Sequence, residues 1–421
     1  MKKSTELSVR IKEMARVLGP GLITGASDDD PSGIVTYTQA GAAFGLATLW
    51  TAVITFPLMA AIQGMCARIG IVTKAGLTGT LKKHYPRSIL YFMLVLSFPA
   101  IVLNIGADIE GMGAVSNLLI PQVPGYMFSI FFTVLLMYVI IKYSYQKLAR
   151  ILKWLCITVL LYIIVPFLIH PNWGLVLKKT VIPTIHLDKT FLSILVAILG
   201  TTISPYLFFW QATMEAEDFS HDPKKVVVNK RILTNMRKDV NLGMFFSNLV
   251  MYFIILTAGV VFYNAGIHNI DTVEQAAKGL EPLAGKFAYL LFAVGVLGTG
   301  FLAIPVLGGS LSYIVAETFN WEEGLDKHFA QAKPFYLTII ISLSVGLLLN
   351  FIGISPMKAL LYTAILYGLT APVMIAVILH ICNNKKIMDK YTNSRIQNIF
   401  GFVTLVLMTV AAMALLYFQF K

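Results

Sequence analysis

Three consecutive carboxylates, Asp28, Asp29 and Asp30, stand directly before Pro31 in the apolar stretch Gly19 to Gly33, GPGLITGASDDDPSG. Carboxylates within sequence apolar enough to cross a membrane are costly and mark an ion or substrate path. Pro31 removes a backbone donor and drives the preceding residue out of the helical region. Gly25 and Gly33 flank the spot. The stretch therefore predicts a helix that stops, leaves acid groups at the gap and restarts. Uncharged sequence resumes at Ile34 and runs to Trp50, which argues against a surface loop.

A second interruption lies 174 residues downstream, at Gly200-Thr-Thr-Ile-Ser-Pro205-Tyr206, inside another apolar run. A proline preceded by polar residues again breaks a span near its middle. The first half of each broken helix should end in free carbonyls at the negative end of a helix dipole. Together with Asp30 these make a hard oxygen site for a cation. Hydroxyls of Ser27, Ser32, Thr201, Thr202 and Ser204 lie close by in sequence, and neither break holds His, Cys or Met.

The elements that position these residues follow from composition. Of 421 residues 57% are hydrophobic and only 13% charged, which places the chain among polytopic membrane proteins rather than soluble ones. Apolar runs predict eleven spans, near 17–43, 45–66, 89–117, 125–141, 149–169, 191–214, 240–263, 284–314, 335–353, 359–381 and 397–419. Of the 33 Lys and Arg residues, 26 fall on one side of that layout. The positive-inside rule then puts the N-terminus in the cytoplasm and the C-terminus outside. The net charge of +12 is thus topological, and nucleic acid is not an expected partner. The start, MKKSTELSVRIKEMAR, lacks a signal-peptide cleavage pattern. Cys66, Cys156 and Cys382 read as buried free thiols.

The breaks fall in spans 1 and 6, matching positions of two five-span halves. Five is odd, so the halves enter the membrane from opposite sides. Paired broken spans in an inverted repeat point to a transporter site at the membrane midplane. The expected fold is all-α, LeuT-like: repeat one near 17–169, repeat two near 191–381, and an extra helix near 397–419, in a single domain over residues 1–421. The third span adds Asp108 and Glu110, two apart and so about 200° from each other on a helix. Asn104 shares a face with Asp108. The pair reads either as a proton relay or cation-gathering vestibule, or as hydrogen-bonding groups that hold helices together.

The first span, through Asp30-Pro31-Ser32-Gly33, resembles that of the Nramp family of divalent metal transporters, whose motif is D-P-G-N. Gln63 to Thr73 resembles the family's second span and following loop. Ala107-Asp-Ile-Glu-Gly111 resembles its A-E-V-I-G, with Asp108 in place of the glutamate. Ser204-Pro205-Tyr206 takes the place of M-P-H. The resemblance implies a metal site at Asp30, Ser27, Gly33, Thr201 and Ser204. Asp28, Asp29, Asp108, Glu110, Tyr206 and Gln211 are candidates for a vestibule or proton path. The departures are at the site itself. The family's asparagine becomes Gly33, its methionine Ser204, and its two histidines Tyr206 and Gln211. Loss of the soft sulfur favours oxygen-loving Mg²⁺, as in the Nramp-related magnesium transporters. Mn²⁺ or a broader divalent range comes second.

The expected function is secondary import of a divalent cation across the cytoplasmic membrane, with no cofactor, as a monomer or weak homo-oligomer, and without a required proton. The competing class is a LeuT-like carrier of an amino acid or amine, with a carboxylate at the restarted helix. The adjacent aspartates argue against an anion there. No nucleotide, zinc or Ser-His-Asp pattern points to an enzyme.

Overall fold

The computed structural model describes residues 19–143, 171–221, 227–278 and 288–420, together with Ile163 and Phe167. All regular elements among them are helical. The first span is two helices, α1 (Pro20–Asp28) and α2 (Pro31–Phe44). α3 (Trp50–Thr73) and a short connector helix, α4 (Leu77–His84), follow. Next come α5 (Arg87–Leu119), α6 (Gly125–Lys142) and the short α7 (Trp173–Val181). The sixth span is likewise two helices, α8 (Lys189–Thr202) and α9 (Pro205–His221). α10 (Lys230–Ala258) runs on through one π-helical turn to Tyr263, and the short α11 (Val273–Lys278) follows. The rest is α12 (Ala288–Phe319), α13 (Lys333–Leu349), α14 (Pro356–Asn383), the short α15 (Lys385–Met388) and α16 (Arg395–Phe420). Each expected span has its helix except the fifth, near 149–169, which apart from Ile163 and Phe167 lies outside the described residues. So does Cys156, whereas Cys66 and Cys382 are buried free thiols.

Eight helical stretches among the described residues are long and apolar enough to cross a membrane. The broken sixth span is the most enclosed, with 89% of its apolar window buried. α16 is among the least enclosed, at 33%. The broken helices therefore form the centre, and the eleventh span lies against the outside, where its Val406, Val410 and Met413 are exposed.

Close crossings fix the broken helices in place. A Cβ added to Gly25 of α1 would lie 2.3 Å from the Gly243 backbone of α10. One added to Gly200 of α8 would lie 2.1 Å from the Ala364 carbonyl of α14. No real Cβ tolerates either distance, so the backbones meet only because both positions are glycine. At its start α1 has no acidic residue of its own to satisfy the exposed N–H groups. Asp239 of α10 supplies the carboxylate from 220 residues away, accepting from Gly19 N–H at 2.8 Å and Gly21 N–H at 2.7 Å.

Candidate cation site at the paired helix breaks

Both breaks have the same construction: two non-helical residues, then proline as the first residue of the restarted helix. In the first, Asp29 closes α1 with φ −83°, ψ 56°. Asp30 is extended at φ −70°, ψ 173°, as a residue before proline prefers. Its carboxylate then caps α2. In the second, Ile203 closes α8 with φ −112°, ψ 59°, and Pro205 starts α9.

Two tyrosines tie the breaks together reciprocally. Tyr206, just inside the restarted α9, donates to the Ser27 carbonyl at the end of α1 over 2.8 Å. Tyr37, inside the restarted α2, meets the Thr202 hydroxyl at the end of α8 over 3.0 Å. Each second half-helix thus bonds to the end of the other break's first half. Tyr206 thereby satisfies one of the carbonyls that α1 leaves free.

Four carboxylates converge here with almost no solvent exposure: Asp28 0%, Asp29 1%, Asp30 2% and Asp108 0%. Asp30 Oδ1 accepts from the Ser32 hydroxyl and the Gly33 N–H, each at 2.7 Å. Its Oδ2 accepts from Asn104 Nδ2 at 2.8 Å. Asp28 Oδ2 accepts from Ser247 of α10 at 2.6 Å. Asp28 Oδ1 and both carboxylate oxygens of Asp29 and Asp108 are buried without a hydrogen-bond partner. Buried charge of this kind is ordinarily paired or bound to a metal. Among the described residues the one buried basic side chain is Arg68, and it is engaged with Gln397 and Asn393.

Two hydroxyls at the breaks, Ser27 and Ser204, turn their protons toward nearby carbonyls of their own spans. Ser27 donates to the Ile23 carbonyl at 2.7 Å, and Ser204 to the carbonyls of Gly200 and Thr201. Their oxygen lone pairs remain. Thr201 Oγ1 lies 3.3 Å from where a Cβ on Gly33 would sit, so Gly33 leaves the two breaks close together. Gln211 sits further along α9 and donates to Glu215 at 3.0 Å.

Asp108 and Glu110 part as their spacing requires. Asp108 is enclosed beside Asp30, whereas Glu110 is part-exposed and lines a separate, largely apolar cavity of about 450 Å³ with Asn350 and Tyr362. A third region, at the ends of α9 and α12, is polar: a cavity of about 780 Å³ lined by Glu217, Glu317 and Glu323 together with Lys74, Lys82 and Lys83. There Tyr313 donates to Glu217 at 2.7 Å. Glu317 accepts the Gly79 N–H at the start of α4. Burial, reinforced by Glu317 and Glu217, pushes the Glu323 carboxyl up to about 9.

Sequence reasoning missed Ser247, Tyr37, Tyr367 and Asp239. Tyr367 of α14 is 1% exposed with its ring 5.6 Å from that of Tyr206. One hydroxyl among several in an apolar span was its only signal. Asp239 follows a Lys/Arg-rich segment and reads locally as a surface charge.

Relatives by sequence include the divalent metal cation transporter MntH of Caldanaerobacter subterraneus subsp. tengcongensis, 24% identical over 424 residues, spanning 100% of this chain and 97% of that protein. MntH of Clostridium acetobutylicum is 23% identical over 422 residues, spanning 100% and 95%. Among solved structures, the Eremococcus coleocola manganese transporter superposes with a TM-score of 0.75 at 18% identity, over 94% of this chain and 85% of that one. Mhp1, a nucleobase-cation-symport-1 family transporter, gives 0.54 at 12% identity, over 95% and 92%. At such identities these structures speak for the fold alone, and it is the all-helical, LeuT-like one. The family model described as natural resistance-associated macrophage protein-like matches residues 21–418, and the chain, a multi-pass membrane protein, belongs to this Nramp family.

Proposed function

We propose that this protein is a secondary transporter that carries a divalent cation, Mg²⁺ ahead of Mn²⁺, by alternating access around Asp30. The observation that carries the reading is the set of four buried carboxylates at the breaks, five of whose oxygens have no partner. A doubly charged cation relieves that buried charge, and the relatives named as divalent metal and manganese transporters agree with such cargo. An organic amine or amino acid is less favoured, since the family match and the crowded aspartates both point to a metal ion.

The preference for Mg²⁺ rests on chemistry at the breaks. Ser204 offers oxygen where a sulfur ligand would favour softer ions. Tyr206 offers a phenol, whose ordinary pKa near 10 is poorly suited to proton exchange at neutral pH. Uptake needs no proton on energetic grounds. Two charges moving inward gain about 4.6 kcal/mol per 100 mV, roughly a 2000-fold gradient. The Lys/Arg-rich side faces the cytoplasm in this reading, and the polar cavity at Glu217 and Glu317 is the exit.

Proteoliposomes with an internal pH dye and a potential set by potassium and valinomycin test this. Divalent uptake should follow voltage without acidifying the lumen, and Mg²⁺ should compete with Mn²⁺ at comparable concentration. Ser204→Met should shift the preference toward Mn²⁺. Lumen acidification that tracks metal entry refutes the uncoupled mechanism. Mn²⁺ uptake indifferent to excess Mg²⁺ refutes the magnesium preference.

A further inference from the structure

We propose that Asn104 and Tyr367 are ligands of the transported ion, supplying an amide oxygen and a phenolic oxygen from α5 and α14, outside the two broken helices. This deepens the divalent-cation reading above and rests on it.

The two oxygens of Asp30 have different duties. Oδ1 is occupied by the Ser32 hydroxyl and the Gly33 N–H, which fix it as the cap of α2. Oδ2 accepts one bond, from Asn104. A carboxylate oxygen has room for a second partner, so the face of Asp30 left open to a cation is the one turned toward α5. Asn104 is fully buried there. A carboxylate only accepts, so the Asn104 amide nitrogen must face Asp30, and its oxygen is directed elsewhere. That oxygen has no hydrogen-bond partner.

Tyr367 brings a second oxygen to the same place. Its buried hydroxyl makes no hydrogen bond of ordinary length; Asn104 is its side-chain hydrogen-bonding neighbour, and the charges of Asp30 and Asp108 act on it. Leaving a buried polar group unmatched costs about 1–3 kcal/mol. Asn104 and Tyr367, on different helices and beside one carboxylate, neighbour each other without an ordinary hydrogen bond, and an ion between them would engage both oxygens. With Asp108, whose oxygens are also unpartnered, the wall presents hard oxygen donors throughout. Mg²⁺ binds through oxygen and keeps several waters, so a partial set of protein ligands suits it.

Titration calorimetry with MgCl₂ on the purified full-length protein tests the assignment, using wild type, Tyr367→Phe, Asn104→Ala and Asp30→Asn. Tyr367→Phe keeps the ring and its contact with Tyr206 and removes only an oxygen that makes no hydrogen bond of ordinary length. It should weaken Mg²⁺ binding by about tenfold or more, the scale on which groups around a metal affect affinity. The thermal midpoint without metal should stay unchanged, whereas a structural role would move that midpoint and spare the affinity. Asn104→Ala should weaken binding as well. Wild-type affinity in Tyr367→Phe, with Asp30→Asn defective, overturns the ligand assignment and leaves the divalent site standing. Asp30→Asn binding as wild type, or no binding by wild type, overturns the divalent site and this assignment with it.

Discussion

Replacing Asp30 by asparagine separates its role in folding from its role toward the ion. As the cap of α2, Asp30 accepts from Gly33 N–H and the Ser32 hydroxyl through one oxygen. Asparagine caps about as well as aspartate, so the helix start should lose only a few tenths of a kcal/mol. The new amide nitrogen would face the Asn104 amide nitrogen, and rotation of the Asn104 amide restores a donor–acceptor pair. The charge is lost outright. A unit charge 4 Å from a divalent ion gains about 8 kcal/mol at an effective dielectric of 20. Desolvation of the ion offsets much of this. If only a quarter survives, about 2 kcal/mol, binding weakens roughly 30-fold. Calorimetry with Mg²⁺ and Mn²⁺, beside thermal unfolding of the metal-free protein, measures both quantities. Asp30→Asn should unfold near the wild-type temperature and show little binding or uptake. Affinity within about threefold of wild type, well under 1 kcal/mol, refutes the placement of the ion at Asp30 and makes Asp28 or Asp29 the next candidates.

Three further outcomes are expected. A reporter after Lys421 should read as external and one near Lys225 as cytoplasmic, and a cytoplasmic C-terminus would break the eleven-span layout. Asp239→Ala removes the carboxylate that holds the start of α1, a loss of about 1–2 kcal/mol for a helix cap. A cysteine at Ser27 should then be labelled from the Lys/Arg-rich side about tenfold faster, and unchanged labelling would show that α1 is not held shut there. Glu323 lies outside the spans, and its carboxyl is raised from 4.5 to about 9 by burial and then by Glu317 and Glu217. A raised carboxyl costs stability as pH climbs from about 4.5 toward 9. Glu323→Gln should therefore raise the thermal midpoint at pH 8, by roughly 1–3 °C, and have little effect at pH 5. A gain that is equal at both values contradicts the assignment.

The broken helices were legible in the chain because what makes them is local. Pro31 and Pro205 remove a donor and bias the residue before them wherever the chain goes, and helices restart at both. The spans were legible for a related reason: lipid demands long apolar runs whatever their neighbours, and the second, third and fourth appear as Trp50–Thr73, Arg87–Leu119 and Gly125–Lys142. The 200° separation of Asp108 and Glu110 was equally a property of one helix. Partnership was not legible. Tyr206 reaches Ser27 across 179 residues, Tyr37 reaches Thr202 across 165, and Asp239 reaches Gly21 across 218. No helical period links such positions, since each pairing depends on how close the backbones approach. That approach is set at crossings such as Gly25 on Gly243, where 2.3 Å leaves no room for a side chain. The tertiary structure also decided which side of Asp30 is open. The sequence placed its carboxylate at a helix start, but only the packing of α5 determined that Asn104 meets its second oxygen.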